Sequence, residues 1–152
     1  MQPVHPPGSD GLPLEPTISK IGNDRFNEAY AWRSIKEAGG KVIFSTDWPV
    51  SNVDPINCIS NALNRQVWAE GQFDQRLSLI DTLKAYTIGG AYAEFKEHKK
   101  GLIQKNYLAD IVVLSDRIDL LNKEQLSTLK VISTIVDGKL VYSSDPQLEY
   151  AN

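Results

Sequence analysis

Proline is concentrated at the start of this 152-residue chain. Five of its eight prolines fall within "MQPVHPPGSDGLPLEPTISKIGN", residues 1–23. Proline lacks the backbone donor that helix interiors and central strands require. We therefore expect an irregular loop over residues 1–23, which begins with the end of a strand at Gln2–Val4. Long regular elements have room only after residue 23.

A helix followed by a buried strand is predicted for residues 24–45. Asn23 or Asp24 can cap the helix at its start, and the pair Gly39–Gly40 is a typical helix end. Lys41–Ser45 then has the β-branched and aromatic composition of a buried strand.

Two further helices are predicted before residue 97. Asp54–Pro55 opens the first of them, because proline is tolerated in the first turn of a helix. Ser78 and Asp81 resemble a capping box at the start of the second. The order helix, strand, helix, helix indicates an α/β fold.

The last third of the chain has the pattern of a small β-unit. Buried strands are predicted at Ala109–Leu114, Val131–Val136 and Lys139–Tyr142, and a short helix at Lys123–Leu129. The dipeptide Asp137–Gly138 is a strong hairpin signal between the last two strands.

Composition limits the partners and the compartment. The formal net charge of −3 gives the chain no basic footprint for nucleic acid or for an anionic membrane. No apolar run approaches the roughly 18 residues that cross a bilayer. The chain has a single cysteine, Cys58, so an internal disulfide is excluded. Cys58 is expected to be a small buried hydrophobic residue and is compatible with a reducing compartment. A cytoplasmic location is the default expectation. His98, within "FKEHKK", is expected to be an ordinary surface histidine.

Two side chains have the placement of a metal site. Asp47 follows the predicted strand Lys41–Ser45, and His5 follows the possible strand end in "QPVHP". Barrel-type α/β enzymes hold working side chains at the carboxyl ends of buried strands, and imidazole and carboxylate both ligate zinc. Each residue also has a simpler interpretation. His5 beside prolines suits a loop, and Asp47 before Trp48–Pro49 suits a side chain that stabilises a turn.

Six segments, in order, resemble the C-terminal part of an amidohydrolase: "MQPVHP", "AYAWRSIKEAGGKVIFSTDWPV", "DPINCISNALNRQ", "QRLSLIDTLKAYTIGGAYAEFKEHKKG", "LADIVVL" and "VISTIVDGKLVY". The resemblance is to amidohydrolase family 3, with its imidazolonepropionase-like and N-substituted formamide deformylase-like enzymes. It implies a metal-dependent hydrolase of non-peptide carbon–nitrogen bonds in small-molecule amide or cyclic amide substrates. The implied fold class is α/β. Residues 1–97 would form the C-terminal fragment of a (β/α)8 TIM-like barrel, and residues 98–152 part of a small composite β-sandwich domain.

Three residues take a role from this resemblance. His5 occupies the place of a family histidine that helps to hold a divalent metal, zinc by resemblance. Asp47 occupies the place of the aspartate that touches the metal centre and shuttles the proton to the leaving nitrogen. The metal would lower the pKa of a bound water and polarise the substrate carbonyl. Trp48 would wall the substrate pocket, although an aromatic packed beside Pro49 fits the sequence too.

Two short motifs depart from the family. Ser45-Thr46 stands where the family has Gly-Ser before the aspartate. Lys105-Asn106-Tyr107 stands where the family usually has Pro-Gly-Lys. Asn106 suits that turn, because asparagine tolerates a positive φ better than most residues.

The larger departure concerns the metal ligands. The family's His-x-His of the first strand, its mid-barrel lysine and its fifth-strand histidine have no counterpart here, so the ligand set is incomplete. We therefore expect the full-length parent to be the enzyme and the isolated chain to be inactive. Open strand edges are expected to drive homo-oligomer formation or association with the missing N-terminal part. The alternative is a non-catalytic binding or interaction module from a truncated or decayed amidohydrolase.

Overall fold

The computed structural model describes residues 17–26, 28–49, 52–65, 67 and 70–147, which form two compact units. One unit comprises residues up to Tyr86 and the other begins at Thr87. The helices of the described residues are α1 Thr17–Ile21, α2 Asn23–Phe26, α3 Trp32–Glu37, α4 Pro55–Asn64, α5 Leu79–Tyr86, α6 Ile88–Ala93 and α7 Lys123–Leu126. The strands are β1 Ile111–Leu114, β2 Val131–Val136 and β3 Lys139–Ser143.

The core of the first unit is built around two aromatic rings. Trp32 is fully buried and Phe44 almost so, and their ring centroids lie 5.1 Å apart in an edge-to-face arrangement. Tyr86 at the end of α5 adds a third ring, 5.5 Å from that of Phe44. Edge-to-face pairs at such distances add stability beyond the apolar area that they bury. Ala62 of α4 and Ala85 of α5 pack in the same cluster.

The helix predicted from residue 24 is wrong in its extent, because it breaks between α2 and α3. A continuous helix would direct the Ser34 amide to the Tyr30 carbonyl. Instead Ser34 N donates to Gln75 Oε1 at 3.0 Å, and the Arg65 guanidinium donates to the carbonyls of Tyr30 and Ala29. Tyr30 itself has a φ of 55°, in the left-handed region that a helix interior does not use. Tertiary partners thus replace the hydrogen bonds of the helix.

Two other predictions for the first unit require correction. The loop expected over residues 1–23 gives way to α1 at Thr17–Ile21, a proline-free stretch that is able to form a helical turn. Lys41–Ser45 is neither helix nor strand in the structure. A strand needs a neighbouring strand for its ladder, and the described residues of this unit contain none. The strand end predicted at Gln2–Val4 lies outside the described residues.

The predicted starts of α4 and α5 are confirmed. The Asp54 side chain caps α4 by accepting from Ile56 N at 2.9 Å, and Pro55 occupies the first turn. Ser78 Oγ accepts from the Asp81 amide at 3.1 Å and donates to its carboxylate at 2.7 Å. Cys58 is fully buried on the inner face of α4, as expected for a small hydrophobe. Burial raises the pKa of its thiol, which disfavours the nucleophilic thiolate.

The second unit contains a three-stranded antiparallel sheet in the order β1-β2-β3. The predicted hairpin is confirmed, since Asp137 and Gly138 both have a positive φ, 49° and 76°. Asn106 also has a positive φ, 69°, as expected for its turn. Strand β1 and helix α7 are shorter than predicted.

The three strands are less buried than predicted. Val112 on β1 is 55 % exposed and Val141 on β3 is 59 % exposed. Both β1 and β3 are edge strands, so each has a neighbour on one side only within the described sheet. Apolar side chains on a strand indicate that another layer of side chains packs on them. Among the described residues of this unit, Val112 and Val141 stay largely exposed.

Candidate active site

Asp47 lies on an exposed turn that follows the core residue Phe44. Its φ of 55° is in the left-handed region, which aspartate adopts more readily than most non-glycine residues. The hydrogen bond that closes the turn runs from Trp48 N to Thr46 Oγ1 at 3.3 Å. The Trp48–Pro49 peptide bond is cis. The turn therefore presents the Asp47 side chain to solvent.

Phe44 anchors the segment that carries Asp47. Its amide donates to Ala85 O in α5 at 3.1 Å, and its ring lies in the aromatic core between Trp32 and Tyr86. Two residues, Ser45 and Thr46, separate this fixed point from Asp47. The path of the chain into the exposed turn is thus determined by packing in the core.

Arg65 follows α4 and is the most buried charge in the first unit's described part, with 7 % of its surface exposed. Its Nη2 donates to Ala29 O at 2.7 Å and its Nη1 to Tyr30 O. The guanidinium carbon lies 5.0 Å from the centroid of the Trp32 ring. Burial lowers the pKa of Arg65 to about 10, an effect that the negative charge of Asp74 opposes. The side chain remains a cation at neutral pH.

Two of the ion pairs among this unit's described residues lower the pKa of an aspartate. Arg76 forms a two-pronged pair with Asp74, in which Nη2 to Oδ2 measures 2.6 Å, and this pair lowers the pKa of Asp74. Lys36 on α3 binds Asp81 on α5 at 2.7 Å and, together with Ser78, lowers the pKa of that carboxyl. Both pairs are partly exposed, so each is worth at most about 1 kcal/mol.

Trp48 is 68 % exposed, which does not fit the interpretation of an aromatic packed beside Pro49. Val53, shortly after it, is 62 % exposed. The turn thus combines a carboxylate with apolar surface.

An open groove of about 220 Å³ lies in the other unit, on the loop Leu102–Ala109 and Ile111, and neither Asp47 nor Trp48 lines it. The role of Trp48 as a pocket wall stays a prediction.

The described residues do not fit a complete metal centre. They contain no group of three or more histidine, cysteine, aspartate or glutamate side chains that could hold a metal ion. A catalytic zinc site usually has three protein ligands. His5 lies outside the described residues, and His98 is exposed in the second unit. Asp47 is thus the one predicted ligand whose position the structure gives.

None of the helices in the described ranges is long and apolar enough to cross a membrane.

The fold of this chain resembles part of a longer solved structure. Its match to the crystal structure of an amidohydrolase from Thermotoga maritima has a TM-score of 0.52 at 22 % identity, over 77 % of this chain and 26 % of that one. The sequence profile described as "Amidohydrolase family" matches residues 1–142. The chain therefore belongs to the amidohydrolase family, whose superfamily has a TIM-barrel-type fold and is generally metal-dependent. This confirms the resemblance noted in the sequence.

Three curated relatives are similar to this chain over part of their own length. YtcJ of Bacillus subtilis, named as an amidohydrolase, is 31 % identical over 130 residues, which are 82 % of this chain and 25 % of YtcJ. LONG AFTER FAR-RED 3 of Arabidopsis thaliana is 32 % identical over 128 residues, 81 % of this chain and 22 % of that protein. N-substituted formamide deformylase of Arthrobacter pascens is 29 % identical over 123 residues, 79 % of this chain and 22 % of the enzyme. The chain spans about a quarter of the length of these relatives.

Sequence reasoning missed Arg65 and Gln75. Both side chains act on backbone or side-chain groups more than thirty residues away, at Ala29, Tyr30 and Ser34. Backbone carbonyls carry no sequence signal, so no local pattern marks these contacts. The one available hint is that Arg65 directly follows a helix with an apolar inner face.

Proposed function

We propose that this chain supplies the C-terminal part of a metal-dependent hydrolase that cleaves non-peptide carbon–nitrogen bonds in amide or cyclic amide substrates. The family match over residues 1–142 is the observation that carries the proposal. The name of one relative, N-substituted formamide deformylase, describes a reaction of this class for that protein. Residues 1–97 would belong to the barrel and residues 98–152 to the β-sandwich domain.

Asp47 is the proposed proton-transfer residue. In hydrolysis of an amide, a water oxygen bonds to the carbonyl carbon, the carbon–nitrogen bond breaks, and one proton of the water ends on the leaving nitrogen. A carboxylate at the reacting centre accepts the first proton and later donates it to that nitrogen, so no net proton is gained or lost. The exposed turn and the anchored segment behind it support this role, because they present the side chain at a defined point.

The metal site, zinc by resemblance, would need ligands from beyond the described residues. His5 and Asp47 are the ligands proposed from this chain, and Trp48 is the proposed substrate contact. Two ligands are fewer than a catalytic zinc site normally uses. We therefore expect the 152-residue chain alone to be inactive and the full-length parent to be active.

Hydrolysis by the full-length polypeptide tests the proposal. We expect it to hydrolyse at least one member of a panel of N-acyl amines, N-substituted formamides and cyclic amides, whereas the isolated chain hydrolyses none. Turnover of the panel by the isolated chain would contradict the expected inactivity. No turnover by a metal-loaded full-length protein would favour the alternative, a non-catalytic binding or interaction module.

Asp47→Asn tests the proton-transfer role within that enzyme. We expect kcat to fall by roughly 10²- to 10⁴-fold, the usual contribution of a general acid–base group. Asp137→Asn is the matched control, because Asp137 is also an exposed aspartate with a positive φ, 49° against 55°. Its kcat should equal that of wild type. An equal kcat for wild type, Asp47→Asn and Asp137→Asn would exclude Asp47 from the mechanism.

Association is proposed as well, either with a second copy or with the N-terminal part of the parent. The support is the open edges of β1 and β3 and the exposed apolar side chains on them, such as Val112 and Val141. We expect light scattering of the isolated chain at micromolar concentration to give a mass above 16.9 kDa. A clean monomer would contradict this prediction.

A further inference from the structure

Arg65 is held in a place where a cation is costly. Only 7 % of its surface is exposed, and its Nε has no hydrogen-bond partner among the described residues. A buried donor without a partner destabilises a fold, because its bond to water is lost and not replaced. The contacts that retain Arg65 there are its two bonds to backbone carbonyls and its stack on Trp32. A chain selected for stability alone has apolar alternatives for such a site.

These contacts lead toward Asp47 through the aromatic core. The guanidinium lies 5.0 Å from the Trp32 ring centroid, and the Trp32 ring lies 5.1 Å from that of Phe44. Phe44 is in turn bonded through its amide to Ala85 O at 3.1 Å. The chain then runs from Phe44 to Asp47 without an intervening regular element. The guanidinium thus contacts the Trp32 ring, and the Trp32 ring packs against Phe44, from which the chain enters the Asp47 turn.

We infer that Arg65 is a positioning residue for the Asp47 carboxylate, acting through the stacked rings of Trp32 and Phe44. The inference rests on the proposed function, since it gives Arg65 a part in setting the geometry of the proton-transfer group. Arg65 does not touch the reacting atoms in this account. It sets where the Trp32 ring lies, and the Trp32 ring sets where the Phe44 segment enters the exposed turn.

The chemistry of the side chain explains why arginine and not lysine serves here. A guanidinium is planar, so it donates to two neighbouring carbonyls while one face lies on an aromatic ring. A lysine ammonium keeps the charge but is a compact point donor that cannot do both. Arg65→Lys therefore removes the stack and one carbonyl bond without removing the cation. This makes it a more selective probe than a change to alanine.

Arg33 provides the matched control. Its guanidinium also lies over an aromatic ring, 4.8 Å from the centroid of Phe73, and pairs with Glu37 at 2.8 Å. It is exposed, and neither the Phe73 ring nor Glu37 is part of the Trp32–Phe44 core cluster. Arg33→Lys thus makes the same chemical change at a site that does not lead to Asp47.

Amide hydrogen exchange on the 152-residue chain tests the mechanical part of the inference. In Arg65→Lys we expect the Phe44 amide to exchange roughly 10-fold faster than in wild type, with the Thr82 amide of α5 changed less than about 2-fold. Thr82 N donates to Ser78 O at 2.9 Å and reports the general stability of the unit. Arg33→Lys should leave both rates unchanged. Equal acceleration of the Phe44 and Thr82 amides, or no acceleration, would overturn the inference.

Kinetics of the full-length parent test the functional part. We expect Arg65→Lys to lower kcat by roughly 10-fold with KM within about 2-fold, because a small misplacement of a catalytic group costs rate more than binding. In the Asp47→Asn background the same substitution should change kcat less than about 2-fold, since the group that it positions is gone. If Arg65→Lys does not fold, Trp32→Phe replaces it, because it retains a ring but loses contact area. We expect Trp32→Phe to lower kcat by roughly 10-fold in the wild-type background and by less than about 2-fold in the Asp47→Asn background.

The outcomes separate the two claims. An equal loss of kcat from Arg65→Lys in the wild-type and Asp47→Asn backgrounds would overturn the positioning role of Arg65 and leave that of Asp47 standing. A kcat of Asp47→Asn equal to that of wild type would overturn the proposed proton transfer, and the positioning role with it.

Discussion

Replacing Phe44 with alanine tests the aromatic core on which the Asp47 turn depends. The Phe44 ring is 4 % exposed and contacts the rings of Trp32 and Tyr86 at 5.1 and 5.5 Å. Truncating a buried phenylalanine to alanine costs about 3–5 kcal/mol, which combines lost burial with the cavity that remains. Each aromatic pair accounts for about 0.5–1.5 kcal/mol of that sum. We therefore expect a loss of about 4 kcal/mol in the free energy of unfolding.

Urea unfolding followed by tryptophan fluorescence is a suitable assay. All three tryptophans of the chain precede Tyr86, so the signal reports the first unit alone. With a urea slope of about 2 kcal/mol per molar, the expected loss lowers the midpoint by about 2 M. Where Phe44→Ala leaves too little folded protein, Phe44→Leu serves instead, with an expected loss of about 1–3 kcal/mol from the two aromatic pairs.

Phe73→Ala is the control for this experiment. The Phe73 ring is 43 % exposed and lies under Arg33. Its loss should cost no more than about 1 kcal/mol, the value of an exposed cation–π contact. The reasoning is refuted if Phe44→Ala destabilises the first unit no more than Phe73→Ala does, because Phe44 then cannot anchor the segment that carries Asp47.

Two further predictions concern the helix starts of the first unit. Asp54→Ala should cost about 1 kcal/mol in the same urea assay, because it removes the acceptor for Ile56 N at 2.9 Å; an unchanged midpoint would contradict the cap. The pKa of Asp81 is lowered by Lys36 and Ser78, so its contribution to stability is present above its unfolded pKa of about 3.9 and is lost as pH falls through the lower folded value. The free energy of unfolding of Asp81→Asn should therefore fall less steeply than that of wild type as pH decreases below about 4. The same dependence on pH in both proteins would contradict this.

Local signals predicted the parts of the fold that depend on neighbouring residues. The caps at Asp54 and Ser78, the turn at Asn106 and the hairpin at Asp137–Gly138 are each specified within four residues, and the structure contains all of them. In each case one side chain or one backbone angle decides the geometry, so the sequence suffices.

Features set by distant partners were not predictable in the same way. The helix expected from residue 24 breaks because Arg65 and Gln75 capture its backbone groups from more than thirty residues away. The composition of Lys41–Ser45 is that of a strand, yet a strand forms only beside another strand. The exposure of Val112 likewise depends on what covers the sheet, which the pattern of one strand does not determine.

The candidate site divides in the same way. Asp47 was singled out by its position after an apolar run and by the family resemblance, and the structure places it on an exposed turn with a positive φ. Arg65 was invisible in the sequence, because its partners are the Ala29 and Tyr30 carbonyls and the face of the Trp32 ring. The exposed position of Asp47 after an apolar run could thus be anticipated from the sequence, whereas the contacts of Arg65 could not.

The central claim is that Asp47 transfers the proton in cleavage of a carbon–nitrogen bond by the full-length parent. The most direct measurement is kcat for an amide substrate together with metal content per polypeptide, in Asp47→Asn and in Asp137→Asn. The account predicts that Asp47→Asn retains at least half of the wild-type metal and loses roughly 10²-fold or more of kcat, while Asp137→Asn retains both. A metal-loaded Asp47→Asn enzyme with wild-type turnover would contradict it.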